Sequence, residues 1–282
     1  MSDRRKVLPQ YVLPKRGLTA FAGRIASRER GATTTRLVRW FVRKYGVDMG
    51  EAAVGDVAAY RSFNDFFTRA LKEGARPIAD ADLICPVDGT VSQFGRIEHD
   101  QILQAKGHRY STTALVGGDH ELAARFHDGS FATLYLSPKD YHRIHMPCDG
   151  TLTRMIHVPG ALFSVNPTTA RGVPGLFARN ERVVCVFDSP VVGSFVLTLV
   201  GATIVGSMAT VWHGAVRLPR VRRVREWHYP PGTVTLKKGE EMGRFMLGST
   251  VVLLFPEGDL RFNPTWHPGA PVRFGEAMAD LG

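Results

Sequence analysis

Apolar residues recur at helical spacing over the first quarter of the chain and at strand spacing over the rest. Leu18, Phe21 and Ile25 share one helical face. Leu37, Trp40, Phe41 and Tyr45 share another, with Arg36, Arg39 and Arg43 between them and Thr33 to Thr35 as cap candidates. Ser62 followed by Phe63–Asn64–Asp65–Phe66–Phe67, then Arg69 and Leu71, predicts a capped amphipathic helix ending near Gly74. From Pro77 onward, short apolar or alternating runs are punctuated by Gly, Pro and Asp: residues 133–136, 183–187, 195–200 and 251–255. The pattern predicts a mainly β, α+β protein. Basic amphipathic helices over residues 1–75 precede an antiparallel sandwich or barrel-like core over residues 76–282.

One segment needs separate treatment. Residues 189–212 hold no charge, yet they include Gly193, Gly201 and Gly206 and β-branched runs. They read as two buried strands joined near Gly201 and not as a membrane span. The first apolar stretch, residues 7–13, is short and interrupted by Pro9, unlike a secretory signal.

Composition adds bounds. The 282 residues are 44% apolar and 22% charged, ordinary globular values that exclude a disordered, collagenous or coiled-coil chain. Cys85, Cys148 and Cys185 match neither a disulfide framework nor a CxxC metal site, which fits a reducing compartment.

Charge is informative by its placement. Residues 1–45 carry twelve Lys/Arg and two acids, so they hold the whole +10 excess of the chain. A basic arm on a neutral body meets polyanions. Trp, Phe and Leu opposite Arg suit the plane of an anionic membrane surface. An ordinary amphipathic helix packed on the body gives the same pattern. Single-stranded nucleic-acid binding would interleave aromatics with basic residues on strands, so no nucleic-acid partner is expected. Residues 217–225 hold five Arg around Pro219 and read as an exposed loop or edge, solvated or lipid-facing.

Three places carry chemistry. Pro86–Val87–Asp88–Gly89–Thr90 sets a carboxylate before a glycine, which also describes a plain turn. Tyr141–His142–Arg143–Ile144–His145–Met146–Pro147 offers two histidines for acid–base work or for two satisfied structural positions. With Cys148 they hint at zinc, but no further ligand completes a set, and no metal is expected. Met246–Leu247–Gly248–Ser249–Thr250 places a serine before a buried strand, as a nucleophile or a tight turn. Asp88, His145 and Ser249 together supply orienter, base and nucleophile. Gly-x-Ser-x-Gly is absent around Ser249, which weakens an α/β-hydrolase reading. An intact-chain Ser-His-Asp lipid hydrolase and a non-enzymatic basic binding protein remain as alternatives.

Taken together, these motifs resemble the bacterial-type, pyruvoyl-dependent phosphatidylserine decarboxylase family. The resemblance also rests on Phe66–Phe67 with Arg69, Gly74–Ala75–Arg76–Pro77–Ile78, Lys106–Gly107 with Tyr110, and Tyr135–Leu136–Ser137–Pro138 with Asp140. It continues through Leu162–Phe163–Ser164–Val165–Asn166–Pro167, Leu176–Phe177–Ala178–Arg179–Asn180–Glu181–Arg182, Val200–Gly201–Ala202–Thr203 and Val205–Gly206–Ser207. It covers most of the chain, outside roughly the first sixty residues and the region 214–235.

The resemblance implies a proenzyme that cuts itself between Gly248 and Ser249. His145, oriented by Asp88, acts as base on Ser249, whose oxygen attacks the Gly248 carbonyl to give an ester. Elimination and hydrolysis then convert Ser249 into a covalent pyruvoyl cofactor. That group forms a Schiff base with phosphatidylserine, loses carbon dioxide and releases phosphatidylethanolamine. His142 is the candidate acid for the α-carbon. The resemblance further implies that the large and small chains stay associated, that the enzyme is a homodimer, and that it lies peripherally on the cytoplasmic face of the cell membrane.

Overall fold

The computed structural model describes residues 3–203, 208–216, 223–246 and 249–282. The strand Ser249–Phe255 is apolar almost throughout and lies in the middle of the largest sheet, paired antiparallel to Ser130–Leu136 on one side and Gly193–Val200 on the other. Beyond Ser130–Leu136 come Gly89–Arg96 and Pro271–Val272. Beyond Gly193–Val200 come Arg182–Ser189, Gly150–Val158 and the edge strand Arg225–His228.

Both faces of this sheet are covered, which explains the uninterrupted apolar runs. Val251, Leu253 and Phe255 point into one core with Leu134, Leu197, Cys185 and Phe245. The alternate positions Val252 and Leu254 enter a second core with Phe131, Val196, Val184 and Phe177. A four-stranded sheet, ordered Gly214–Val216, Met208–Thr210, Glu241–Phe245 and Arg143–His145, supplies Met208, Phe245 and Ile144 to the first core. Small sheets of three and two strands complete the β part. The expected antiparallel, mainly β core is present, and among the described residues its sheets do not close into a barrel.

The N-terminal helices are α1 (Asp3–Val12), α2 (Lys15–Ala26), α3 (Ala32–Tyr45) and α4 (Phe63–Phe67). In α3, Val38 and Phe41 turn inward onto Phe63, Phe66 and Phe67, while Trp40 stays half exposed. Three local expectations differ. Gly31, in the left-handed region at φ 52°, precedes α3 in place of a threonine cap, and the Thr34 hydroxyl instead accepts the Arg30 N–H. Ser62 does cap α4 through the Asp65 N–H, but the helix stops at Phe67. The following residues are drawn into pairing with residues 51–53, with Lys72 N–H donating to Glu51 O and Ala53 N–H to Ala70 O. The two strands expected within residues 189–212 are Gly193–Val200 and Met208–Thr210, and they belong to different sheets. Residues 204–207, and most of the arginine-rich stretch at 217–222, lie outside the described residues. Arg225 begins the edge strand, as an exposed edge reading requires.

Arg182 is the largest fully buried side chain. Among the described residues it meets no carboxylate; its guanidinium donates to the carbonyls of Leu115, Ala178, Asn180 and Ala114. Burial pushes its pKa down to about 10, and Tyr110 opposes that. Four donated bonds bind two helix ends, Thr112–Leu115 and Leu176–Arg179, to the sheet. Arg182→Met leaves these carbonyls without a donor and is expected to cost about 3 kcal/mol or more, read as a lower urea midpoint.

Candidate active site

The three sequence motifs meet at one end of the large sheet. Ser249 opens the central strand opposite Leu136. Thr90 pairs with Tyr135 on the other side of that same strand. Gly89 and Ser249 therefore flank the Tyr135–Leu136 end, two strand spacings apart, or about 10 Å. A Cβ at position 89 would overlap the Tyr135 carbonyl oxygen, so this glycine is required by close backbone approach and not by turn geometry. The His145 N–H donates to Pro86 O at 2.9 Å, which joins the histidine motif to the aspartate motif.

Asp88 is buried and fully engaged. Its Oδ1 accepts Arg76 Nε at 3.1 Å and the Phe274 N–H at 2.9 Å, and its Oδ2 accepts Arg76 Nη2 at 2.6 Å. Arg76 is also held by Glu51 Oε2 at 2.7 Å. Burial opposes the charge on Arg76, and its two carboxylate partners more than offset that, raising its pKa above the usual arginine value. The expected hydrogen bond from Asp88 to His145 is absent among the described residues. A guanidinium fork and a backbone N–H take the carboxylate instead.

His145 is oriented by other groups. Its Nδ1 lies 2.8 Å from Gly239 O, and its Nε2 lies 3.0 Å from the Tyr141 hydroxyl. A carbonyl only accepts, so Nδ1 carries the hydrogen and Nε2 the lone pair. The ring stacks on Phe274, 3.7 Å between centroids and 13° between planes. Phe274 thus touches both residues, Asp88 by its backbone N–H and His145 by its ring. Burial lowers the His145 pKa; the Gly239 carbonyl and the charges of Glu241 and Asp88 oppose this.

His142 is completely buried, with Nδ1 2.7 Å from Asp140 O and its ring 4.1 Å from that of Phe67. Its Nε2 has no hydrogen-bond partner among the described residues. Its own carbonyl accepts the Phe245 N–H at 3.0 Å, four residues before Ser249. Ser249 is likewise fully buried, and its Oγ has no partner among the described residues. Gly248, the other half of the expected cleavage site, lies outside the described residues.

Cys148 sits 3.4 Å from Ser189 Oγ, and Cys85 donates to Val87 O; all three cysteines are buried and free. Tyr141 and Arg76 stand in motifs visible in the sequence, but nothing in those motifs gives their contacts. Gly239 and Phe274 are not foreseeable from the sequence, because neither lies in a recognisable motif and both arrive from distant loops.

Comparison with known proteins places the chain in a family. A family model described as phosphatidylserine decarboxylase matches residues 63–280, and a second, described as PSD, matches residues 5–46. The chain is 74% identical over 283 residues to the phosphatidylserine decarboxylase proenzyme of Polaromonas sp. (strain JS666), covering 99% of each. It is 73% identical over 281 residues to that of Variovorax paradoxus, covering 100% of this chain and 99% of the other. To that of Dechloromonas aromatica it is 69% identical over 278 residues, covering 99% and 98%. The chain belongs to the phosphatidylserine decarboxylase family of enzymes.

The histidines carry a pH prediction. Burial, aided by the nearby Arg69 charge and opposed by the Asp140 carbonyl, pushes the His142 pKa down to about 3 from an ordinary 6.5. The unfolded chain therefore binds the extra proton between these values, and stability is lost as pH falls through that window. The slope from this residue is about 1.4 kcal/mol per pH unit. Urea unfolding at pH 6.5 and 4.5 should show a smaller drop in His142→Gln than in the parent.

Proposed function

We propose that the chain decarboxylates phosphatidylserine to phosphatidylethanolamine at a membrane surface, with a pyruvoyl group made from its own Ser249. The observation that carries this is the Ser249 hydroxyl, fully buried and unpartnered among the described residues at the head of the central strand. An orphaned buried hydroxyl is costly as a structural feature and apt as a nucleophile.

His145 is the base. Gly239 fixes its tautomer, so Nε2 is the atom that takes the serine proton once it is released from Tyr141. Asp88 contributes through space, its negative charge favouring the imidazolium that results. The serine oxygen then replaces the amide nitrogen on the Gly248 carbonyl, giving an ester that eliminates. The pyruvoyl group, once formed, supplies a ketone for the substrate amine and a sink for electrons as carbon dioxide leaves. His142, neutral and with its free lone pair at Nε2, takes a proton there and delivers it to the substrate carbon. An anionic substrate beside it favours that protonation. After the cut, the strand that begins at Ser249 still has both neighbours in the sheet, which keeps the two chains together.

The lipid reading rests on the N-terminal helices. Leu18, Phe21 and Ile25 of α2 and Trp40 of α3 are exposed, beside exposed Arg36, Arg39 and Arg43. Between these helices and the sheet lies a cavity of about 440 Å³ lined by Phe21, Trp40, Phe67, Leu136 and Val165. Its size and apolar walls suit a hydrocarbon chain, and it runs from the exposed helix face to Phe67 beneath His142 and Leu136 opposite Ser249. No helix among the described residues is long and apolar enough to cross a membrane. A peripheral position on the cytoplasmic face fits three free cysteines and a basic, apolar docking surface.

Intact mass under denaturing conditions tests the chemistry. The parent should give two chains parting before residue 249, the smaller lighter by one ammonia than its sequence. Ser249→Ala and His145→Ala should stay as single chains. His142→Ala should cut itself yet release carbon dioxide from phosphatidylserine at least about 100-fold more slowly. A single inactive chain from the parent would sink the proposal.

Docking has its own check. Replacing Arg36, Arg39 and Arg43 by Glu should weaken sedimentation with anionic vesicles about 100-fold or more, at about 1 kcal/mol for each arginine lost. Neutral vesicles should show little change.

A further inference from the structure

Arg69 follows α4 and is only 5% exposed. Its Nη2 donates to Lys139 O at 3.2 Å, and the guanidinium lies 5.3 Å from the Phe66 ring centre. Its Nε and Nη1 have no hydrogen-bond partner among the described residues. A guanidinium carries five N–H donors, and leaving buried ones unmade is among the most costly omissions in a folded chain. The acids whose charges reach it are committed elsewhere. Asp88 accepts from Arg76 and Phe274, Glu51 accepts from Arg76 and Arg273, and Asp140 Oδ2 accepts the Ser137 N–H. Burial lowers the Arg69 pKa, and those charges oppose that without accepting its hydrogens.

Its position is specific. Lys139, whose carbonyl takes Arg69, and Asp140, whose carbonyl meets His142, are consecutive residues of one turn. The next arginine, Arg143, donates to Thr68 O and fixes the segment before Arg69 against that turn. Phe67, two residues before Arg69, packs on His142 and lines the apolar cavity. A cationic donor whose charge reaches the candidate acid thus stands two residues from Phe67, which lines the hydrocarbon-sized cavity.

We propose that Arg69 receives the phosphodiester of the lipid head group, its Nε and Nη1 hydrogens each directed to a phosphate oxygen. The proposal rests on the functional reading above. The substrate also offers a carboxylate, but that group loses its charge as carbon dioxide departs. An arginine fixed on it would hold the ground state more tightly than the transition state. The phosphodiester stays anionic from substrate to product, and it joins the acyl chains to the reacting serine carbon, as the segment carrying Phe67 and Arg69 joins the cavity to the neighbourhood of His142.

The test uses Arg69→Lys and Arg69→Met in the full chain, with self-cleavage, which needs no lipid, followed first as a check of folding. Titration with sn-glycero-3-phosphoethanolamine, a phosphodiester without a carboxylate, should show affinity about 10- to 100-fold weaker in Arg69→Met and less reduced in Arg69→Lys. KM for detergent-dispersed phosphatidylserine should rise by a similar factor, with kcat changed less. Unaltered affinity for the probe, or a loss confined to free serine as competitor, would overturn the assignment. If Arg69→Met does not fold, Arg69→Lys decides alone. The probe is read without turnover. A parent inactive on phosphatidylserine whose probe binding still depends on Arg69 would therefore refute the functional reading and leave the anion subsite standing.

Discussion

A sheet covered on both faces has room along its length for little beyond apolar side chains and a few threonines such as Thr133 and Thr198, so its charged and titratable groups collect at its ends. The strand Ser249–Phe255 is the extreme case, because every residue of it is buried. At its first residue the cores stop, and within a few residues of that point stand Asp88, His142 and His145, all buried. Each polar group there has to be satisfied by another or be left open for chemistry. Asp88 is satisfied three times over, His145 twice, His142 once, and Ser249 not at all among the described residues. That gradient orders the site. The Asp88 carboxylate is locked, His145 is oriented, and His142 and Ser249 each keep an unpaired atom among the described residues.

The pieces that satisfy Asp88 and His145 arrive from far along the chain. Arg76 is tied to Glu51, which follows the basic helices, and Glu51 is tied to Arg273 near the C-terminus. Phe274, the neighbour of Arg273, then meets both the carboxylate and the imidazole. Electrostatic pairing and ring stacking thus fasten the N-terminal segment, the aspartate turn and the C-terminal segment to one another at the site.

Much of this was legible in the sequence, and the failures have physical causes. The apolar runs at 183–187, 195–200 and 251–255 announced buried strands because both of their faces are covered. Ser62 announced its helix because capping is local. The end of that helix was hidden, since residues 70–72 leave it for a pairing with residues 51–53 that no local signal records. Gly89 pointed to a turn, whereas its real constraint is contact with Tyr135 from another strand. The motifs of Asp88, His145 and Ser249 do approach one another, but the link between the first two was expected to be direct. The competitor for the carboxylate, Arg76, stood in a quoted motif, and nothing in its spacing said where its side chain would go.

The placement of Ser249 in mid-sheet has a kinetic side. A chain parted before this residue keeps its two pieces interlocked as long as the sheet survives. Once unfolded, the pieces become separate molecules, and recovery of the central strand turns from an intramolecular event into a collision between two species. Refolding of a chain parted there would depend on concentration, with no peptide bond left to hold the two pieces near one another. The processed protein would hold its structure by the height of its unfolding barrier and not by a reversible balance. Maturation would in that sense run in one direction only, for the fold as well as for the chemistry.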